Sequence, residues 1–127
     1  MEDRYLFRGK RKDNGKWVFG DLIQSVYKIG DTCVGQFGNE VGIHEVDPET
    51  ICQCTGLNDK NGKLIWENDV IRCNYETCIV KWEKSEWRIK WIDEAVWRRD
   101  LDYWVNESKR EVNVVGNIFD NPELLEV

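Results

Sequence analysis

The chain has 127 residues, of which 33% are charged, 41% are hydrophobic and 12% are aromatic, and its formal net charge is −6. This length predicts one small domain, and the aromatic content is typical of a folded chain rather than a disordered one. The acidic balance disfavours a general nucleic-acid-binding protein, and a single histidine disfavours multi-histidine metal sites. The charged start predicts no secretory signal, and no apolar run reaches the roughly 18 residues of a membrane span.

Alternation of apolar and polar residues predicts short β-strands along most of the chain. The expected strands lie near 4–10, 16–27, 33–37, 41–46, 51–55, 64–75, 78–83, 86–92 and 112–118. Two dipeptides, Asn14-Gly15 and Asn61-Gly62, predict hairpins with type I′ turns, which need positive φ at both central positions. Further turns or breaks are expected at 29–31, 37–39 and 47–49.

Two segments of the C-terminal part are predicted to be helical. Trp97, Leu101, Trp104 and Val105 recur at the spacing of an amphipathic helix. The segment 121–125 begins with Asn-Pro, which is typical of an N-cap followed by the first position of a helical turn.

The end of the chain is expected to be tied to the core. The strand 112–118 should pair into the sheet, and Leu124 and Leu125 should close one end of the core.

The predicted fold is mostly β. The segment from Asp69 to Trp91 resembles three strands of a barrel, so we predict one or more small, partly open SH3-like barrels of short antiparallel strands, with one or two short helical turns.

A similarity between two segments of the chain bears on the number of domains. The segment 13–23 parallels the segment 60–71, since each has an Asn-Gly turn, an aromatic-containing strand, an acidic corner and an apolar pair. Two explanations of this similarity stay open: hairpins that converge on one pattern, and a true internal duplication. We predict a single domain over 1–127, with two interlocked β sub-units, about 1–55 and 56–127, as the alternative.

The five cysteines are Cys33, Cys52, Cys54, Cys73 and Cys78, and none of them forms a CxxC motif. We expect reduced thiols, no metal and no cofactor, since neither cysteine pair has the spacing of a zinc knuckle. Cys52 and Cys54 should share one face of a strand. Cys73 and Cys78 should face each other across a hairpin.

Other side chains that could take part in catalysis are interpreted as structural. His44 is expected to point outward from a strand, and Glu67 and Asp69 are expected to be solvated turn residues rather than an acid/base pair. No glycine-rich nucleotide motif is present. We therefore predict that the protein is not an enzyme.

The seven tryptophans divide into two predicted groups. Trp17, Trp66, Trp82 and Trp87 are expected in the core. The candidate interaction surface consists of Trp91, Trp97, Arg98, Arg99 and Trp104. Acidic residues interleaved with these arginines cancel most of their positive electrostatic potential. This balance favours a protein partner over nucleic acid.

Three motifs resemble one family. The segment 54–71, CTGLNDKNGKLIWENDVI, the tail 114–125, VVGNIFDNPELL, and the start 5–10, YLFRGK, are similar to the YopX proteins of phages and prophages. Asn68 stands where the family has a glycine. We expect structural roles for the motif: Gly62 in a left-handed turn, Thr55-Gly56 at a tight approach and Asp69 capping a corner.

The resemblance implies a small, mostly-β phage or prophage protein of a family with no assigned activity, and it supplies no catalytic or binding residues. We expect a non-enzymatic protein-interaction module in the cytoplasm of a bacterial host, without a membrane. Its partner would be a host or phage protein, or a second copy in a homo-oligomer. The alternative is an accessory single-stranded nucleic-acid-binding protein of phage replication or regulation, which salt-dependent binding would reveal.

Overall fold

A computed structural model describes residues 6–23, 28–30, 43–83, 86–91, 96–108 and 111–125. The chain divides into two compact units, Met1–Cys54 and Thr55–Val127. In the described residues most of the backbone forms antiparallel β-strands, which confirms the predicted mostly-β fold. The predicted strand at 33–37 and turn at 37–39 lie outside these residues.

The first unit is built on one antiparallel sheet. Its elements are β1 (Phe7–Lys10), β2 (Trp17–Ile23), β3 (Lys28–Gly30), β4 (Ile43–Glu45), a 3-10 turn (Pro48–Thr50) and the start of β5 (Cys52–Asn58). The strand order is β4-β3-β2-β1-β5. Val18, Ile29 and Val46 are almost completely buried and form its core, because alternation turns them to one side of the sheet. The predicted turn at 29–31 is wrong, since Ile29 lies inside β3.

The second unit contains the rest of β5 and six further strands. These are β6 (Leu64–Trp66), β7 (Asp69–Cys73), β8 (Glu76–Glu83), β9 (Glu86–Trp91), β10 (Val96–Asp100) and β11 (Val112–Asn117). A π-helical turn (Tyr103–Glu107) precedes β11, and a 3-10 turn (Pro122–Leu125) follows it. β6 pairs with β5, and the other strands form a five-stranded sheet in the order β10-β9-β8-β7-β11. Within the described part of the chain, no ladder joins β10 to β11, so this sheet does not close into a barrel.

One side of the five-stranded sheet carries the core of the second unit. Its fully or almost fully buried members are Ile65, Ile71, Cys73, Cys78, Val80, Ile89, Leu101 and Val112. Leu57, Trp87, Trp104, Val105 and Val114 are half-buried and pack against them. Aromatic and aliphatic side chains thus fill the core together, as expected for a small β-domain.

The two Asn-Gly hairpins are confirmed, but the predicted turn type is wrong. Positive φ occurs at Gly15 (71°) and Gly62 (82°) and not at the asparagine before either of them, whereas a type I′ turn needs both. The amide of Gly62 instead donates to the carbonyl of Asp59, which gives a wider loop ending in a left-handed glycine. In the first turn, the Asn14 side chain accepts a hydrogen bond from the amide of Lys16 at 2.9 Å.

Two predicted elements change type in the structure. The segment expected to be helical from Trp97 is the strand β10, and helical backbone begins only at Leu101. Pairing with β9 overrides the helical spacing of the apolar residues there. The expected single strand 64–75 is broken between Trp66 and Asp69, where Asn68 adopts a φ of 69°.

The four tryptophans predicted to be in the core have different environments. Trp66 is 4% exposed and Trp87 is half-buried against the core. Trp82 is 54% exposed, so the prediction is wrong for it. Trp82 lies close to the turn of the β8–β9 hairpin, where its ring contacts Trp87 edge-on at 5.0 Å between centroids. Trp17 is half-buried, and the Arg8 guanidinium lies 4.6 Å from its ring centroid.

The C-terminal strand pairs as predicted, because β11 forms a ladder with β7. Asn121 and Pro122 begin the expected short turn, and the amide of Leu124 donates to the carbonyl of Asn121. A Cβ atom added at Gly116 would lie 2.9 Å from Cδ1 of Leu124. Gly116 pairs with Val70, which is fully buried, so the turn lies on the side of β7 that carries Val70. The expected closure of the core end by Leu124 and Leu125 stays a prediction.

None of the helical segments in the described ranges is long and apolar enough to cross a membrane.

Candidate interaction surface

The outer face of the five-stranded sheet, opposite the core, carries a group of basic side chains. We call it the basic face and define it by Arg72 on β7, Ile79 and Lys81 on β8, and Arg88 and Lys90 on β9. Alternation along the strands places them there, because the neighbouring positions face the core. Those neighbours are fully buried: Ile71, Cys73, Cys78, Val80 and Ile89.

Strand register brings these basic residues together. Lys81 lies directly opposite Arg88, and Ile79 lies directly opposite Lys90. Opposite residues have Cβ atoms roughly 5 Å apart, and the next row on the same face is about 7 Å away. Three cations therefore occupy two adjacent rows around Ile79, and Arg72 lies one strand further on.

The central cations are held by neighbours at the margin of the face. Nζ of Lys81 donates to Oδ1 of Asn68 at 2.5 Å, and Nε of Arg88 donates to Oε1 of Glu86 at 2.5 Å. On β8 and β9 the acidic positions of this face lie at the hairpin end, where Glu83 pairs with Glu86. On β10, the register also places Asp100 directly opposite Arg88, and on β7 the fully buried Val70 lies opposite Ile79. The face therefore carries acidic as well as basic positions.

The predicted tryptophan–arginine surface is distributed over β9, β10 and the π-helical turn. The structure describes only the backbone at 91 and 96–100. Register places Trp97 opposite Lys90, next to the basic face, and Trp91 opposite the buried Cys78, on the core side. Trp91 and Trp97 thus occupy opposite sides of the sheet.

The remaining members of that predicted surface lie further along the chain. Arg98 and Arg99 lie between Trp97 and Asp100, where the register with β9 shifts. Trp104 is half-buried against the core and contacts Tyr103 edge-on at 5.4 Å between centroids. The prediction that these residues form one surface stays a prediction.

Sequence reasoning missed Lys81 and Lys90 as surface residues, although their signal was present. Both alternate with apolar residues in strands that the pattern predicted correctly. The pattern does not give the register between two strands, and it is the register that places Lys81 against Arg88.

Two side chains near the start of the second unit hold its backbone in place. Oγ1 of Thr55 donates to the carbonyl of Ile65 at 2.7 Å and accepts from the amide of Leu57. Oδ1 of Asp59 accepts from the amides of two residues in its own loop, Asn61 and Lys63. Its Oδ2 accepts from the amide of Val114 on β11 at 3.0 Å. One carboxylate therefore joins the loop to a distant strand.

The corner between β6 and β7 is also stabilised by a carboxylate. Oδ2 of Asp69 accepts from the amide of Trp66 at 2.8 Å, and Asp69 is only 2% exposed. The expected capping role is confirmed, whereas the expectation of a solvated residue is wrong. Asn68 has a φ of 69°, and asparagine tolerates this left-handed conformation better than most residues with a Cβ.

The C-terminal motif forms a network around Asn117. Its Oδ1 accepts from the amides of Phe119 and Asp120, and its Nδ2 donates to the Asp120 carboxylate. The amide of Asn117 donates to Oδ1 of Asn121 at 3.2 Å. The amide of Ile118 donates to the carbonyl of Asn68, which ties the tail to the β6–β7 corner.

These three groups of contacts fall in the segments 54–71 and 114–125, which carry the family resemblance. The sequence model of the YopX protein family matches residues 6–126. The chain belongs to the YopX family. No curated protein matches it. In this YopX protein, Thr55, Asp59, Asp69 and Asn117 bind backbone groups, and the asparagine at 68 occupies a conformation that suits the glycine usual in the family.

Two shallow clefts lie within the described residues of the separate units. The cleft in the second unit has a volume of about 440 Å³ and is lined by Gly56, Leu57, Asn58, Asp59, Lys60, Val105, Asn106 and Val112. Asp59 makes the three backbone contacts described above, and Lys60 forms an ion pair with Glu111 at 2.9 Å. The charged groups of this cleft thus already have partners in the fold.

The cleft in the first unit has a volume of about 190 Å³ and includes His44. His44 is half-buried opposite the buried Ile29, while Ile43 is 63% exposed, so the expectation that His44 points outward is wrong. The hydrogen bond from Arg11 lowers the pKa of the Asp13 carboxyl at the rim of this cleft.

The four cysteines of the described part are buried, and none of them forms a disulfide. Cys52 and Cys54 share the buried side of β5 as expected. Register pairs Cys73 with Glu76 and Cys78 with Ile71, so the two cysteines are not directly opposite, and the predicted pairing is wrong. Among the residues that the structure describes, no three His, Cys, Asp or Glu side chains form a cluster suited to a metal ion.

Proposed function

We propose that this YopX protein is a non-enzymatic protein-interaction module encoded by a phage or prophage and active in the cytoplasm of its bacterial host. The basic face carries this proposal. It presents Lys81, Arg88 and Lys90 around a half-buried isoleucine on a regular sheet, a combination of charge and apolar surface that suits contact with another macromolecule.

The use of the family motifs supports the same proposal. The carboxylates of Asp59 and Asp69 accept hydrogen bonds from backbone amides, so their roles in the fold account for their presence in the motif. A motif that specifies a scaffold leaves the exposed faces to determine the partner.

We further propose that the second unit is a small, partly open SH3-like barrel. Four sequential strands, β7 to β10, form a meander, and β11 returns to pair with β7. This order, with a short helical turn before the last strand, is that of the small SH3-like barrels, and the strongly twisted strands of such a barrel would place β10 near β11.

The experiment that tests the function is capture of binding partners from host cells, followed by mass spectrometry. The bait is the full chain, and the comparison variants are a Lys81→Ala/Arg88→Ala/Lys90→Ala protein, changed on the basic face, and a control, Lys16→Ala, whose side chain is exposed on the first unit. We expect a stoichiometric protein that the control retains and the triple variant loses. Sedimentation of the purified chain tests the alternative that the partner is a second copy.

Nucleic acid is the second candidate partner, and the clustering of three cations on two strands favours it. Contacts to phosphates would make binding to single-stranded DNA weaken steeply with added salt. A bait that retains no protein but binds single-stranded DNA in this way would overturn the proposed function.

A further inference from the structure

We infer that two copies of this chain form a symmetric dimer in which Tyr75 of each copy enters the cleft in the second unit of the other. This cleft is the one lined by residues 56–60, 105–106 and 112. The inference uses a different part of the second unit from the basic face. It goes beyond the proposed function, which would stand if this dimer did not form.

The first argument is the exposure of Tyr75. Because Cys73 pairs with Glu76, Asn74 and Tyr75 form the two-residue tip of the β7–β8 hairpin. Tyr75 is 98% exposed, whereas Ile43, the next most exposed large hydrophobic residue in the described ranges, is 63% exposed. Tyrosine is enriched among the residues that carry the binding energy of protein interfaces, since its ring buries a large area and its hydroxyl can hydrogen-bond. A tyrosine fully in solvent at a hairpin tip is therefore a candidate anchor.

The second argument is that the hairpin tip is held in place before any partner binds. The amide of Asn74 donates to the carbonyl of Glu111 at 3.0 Å, and Oδ1 of Asn74 accepts from the amide of Glu111 at 3.1 Å. These two hydrogen bonds fix the residue next to Tyr75 to the start of the segment that leads into β11. Less backbone freedom is then lost on binding, which favours association.

The third argument is the chemistry of the cleft. Its apolar part comes from Leu57, Val105 and Val112, and its exposed neutral amides come from Asn58 and Asn106. The carboxylate and the ammonium group in the lining already have partners within the fold. The cleft therefore suits a neutral aromatic ring with one hydroxyl group, because the ring can contact the apolar side chains while the O–H donates to an amide oxygen. Its volume of about 440 Å³ is large enough for one such side chain.

The fourth argument is that the hairpin tip and the cleft lie at the same end of the five-stranded sheet. Val112, which lines the cleft, is directly opposite Cys73, the residue before the tip. Lys60, which also lines the cleft, forms an ion pair with Glu111, the residue that holds the tip. The backbone of Tyr75 is thus roughly 10 Å from the wall of the cleft. A projection and a cleft side by side are exchanged by a two-fold axis between them, so one interface contains the same contact twice.

The expected dimer is weak. Each buried tyrosine accounts for about 200 Å², and the two rings with the surfaces that they cover come to on the order of 800 Å². This area lies at the low end for specific protein interfaces. We therefore expect the dimer to be populated at concentrations above roughly 10–100 μM.

Sedimentation velocity of the full chain at concentrations up to about 500 μM measures the dissociation constant of the dimer. Tyr75→Ser removes the projecting ring. The matched control, Ile43→Ser, removes another exposed apolar side chain, on the first unit. Asn58→Trp fills the cleft with a large side chain, and Asn106→Trp takes its place should Asn58→Trp not fold. Circular dichroism verifies the fold of each variant.

We expect the wild type to dimerise, and Tyr75→Ser and Asn58→Trp each to raise the dissociation constant at least tenfold. Ile43→Ser should raise it less than threefold. A mixture of the two weakened variants tests the exchange of the ring directly. The intact Tyr75 of the Asn58→Trp chain can still enter the open cleft of the Tyr75→Ser chain, so the mixed dimer should form at least fivefold more tightly than either variant with itself.

Four outcomes would overturn the inference. They are a wild-type chain that stays monomeric at about 500 μM, a Tyr75→Ser dimer as tight as the wild type, an equal loss in Ile43→Ser, and a mixture that associates no better than its components. A monomeric wild-type chain that retains a host protein in the capture experiment would overturn the dimer and leave the proposed function intact.

Discussion

Substitution of Gly116 by alanine should release the C-terminal turn from the sheet. A Cβ at this position would lie 2.5 Å from Oδ1 and 2.7 Å from Cγ of Asn121, and 2.9 Å from Cδ1 of Leu124. These distances are shorter than van der Waals contacts. Either the turn moves away or β11 shifts, and both changes break the hydrogen bond between Asn117 and Asn121.

The magnitude follows from the interactions that the added methyl group displaces. The hydrogen bond to the Asn121 side chain contributes about 1 kcal/mol, and half-burial of Leu124 contributes about 1 kcal/mol more. We therefore expect Gly116→Ala to lower the free energy of unfolding by about 2 kcal/mol. The control is Gly15→Ala, which has open space around its Cβ but a φ of 71°, and it should cost about 1 kcal/mol.

Equilibrium urea unfolding followed by tryptophan fluorescence measures both variants, and limited proteolysis reports whether the C-terminal turn has been released. Gly116→Ala should unfold at lower urea than Gly15→Ala and lose its C-terminal residues faster. If Gly116→Ala is as stable as wild type and equally resistant, the turn does not pack on Gly116, and the reasoning is refuted.

Four further outcomes test the same structure. Deleting residues 119–127 should lower the free energy of unfolding by about 3 kcal/mol, because two half-buried leucines and the hydrogen bonds of the Phe119 and Asp120 amides to Asn117 are lost; an unchanged melting temperature would contradict this. Asp59→Ala should lower the free energy of unfolding by about 3 kcal/mol, because three backbone amides lose their acceptor. Asp59→Asn should lower it less, and equal urea midpoints for the two variants would exclude the carboxylate contacts. Asn68→Gly should leave the stability nearly unchanged in thermal melts, and Asn68→Val should lower the free energy of unfolding by about 2 kcal/mol, because positive φ is unfavourable for a β-branched residue. A valine variant more stable than the glycine variant would show a different geometry at this corner. The four buried thiols should react with a disulfide reagent only after unfolding, so at most one of the five cysteines, Cys33, should be labelled in the native protein. Immediate labelling of two or more thiols would place buried cysteines at the surface, and elemental analysis should find no stoichiometric zinc.

The sequence determined the class of fold and the position of most strands. Alternation over residues such as Val80 and Ile89 directly encodes one buried side of a strand, and the Asn-Gly dipeptides mark chain reversals because glycine accepts positive φ. The family motifs were equally visible, since Asp69 and Oδ1 of Asp59 act on backbone groups nearby in the chain, and such local contacts leave a local pattern. The contact of Asp59 with the amide of Val114 is long-range and leaves no such pattern.

The tertiary structure decided what depends on residues distant in sequence. The helical spacing from Trp97 gave way to strand pairing with β9, because ladder hydrogen bonds and burial outweigh a local preference worth a few tenths of a kcal/mol per residue. Trp82 is exposed because its strand ends beyond the core. The basic face exists only through the register that sets Lys81 against Arg88, and no pattern within one strand specifies the residue that lies opposite on the next.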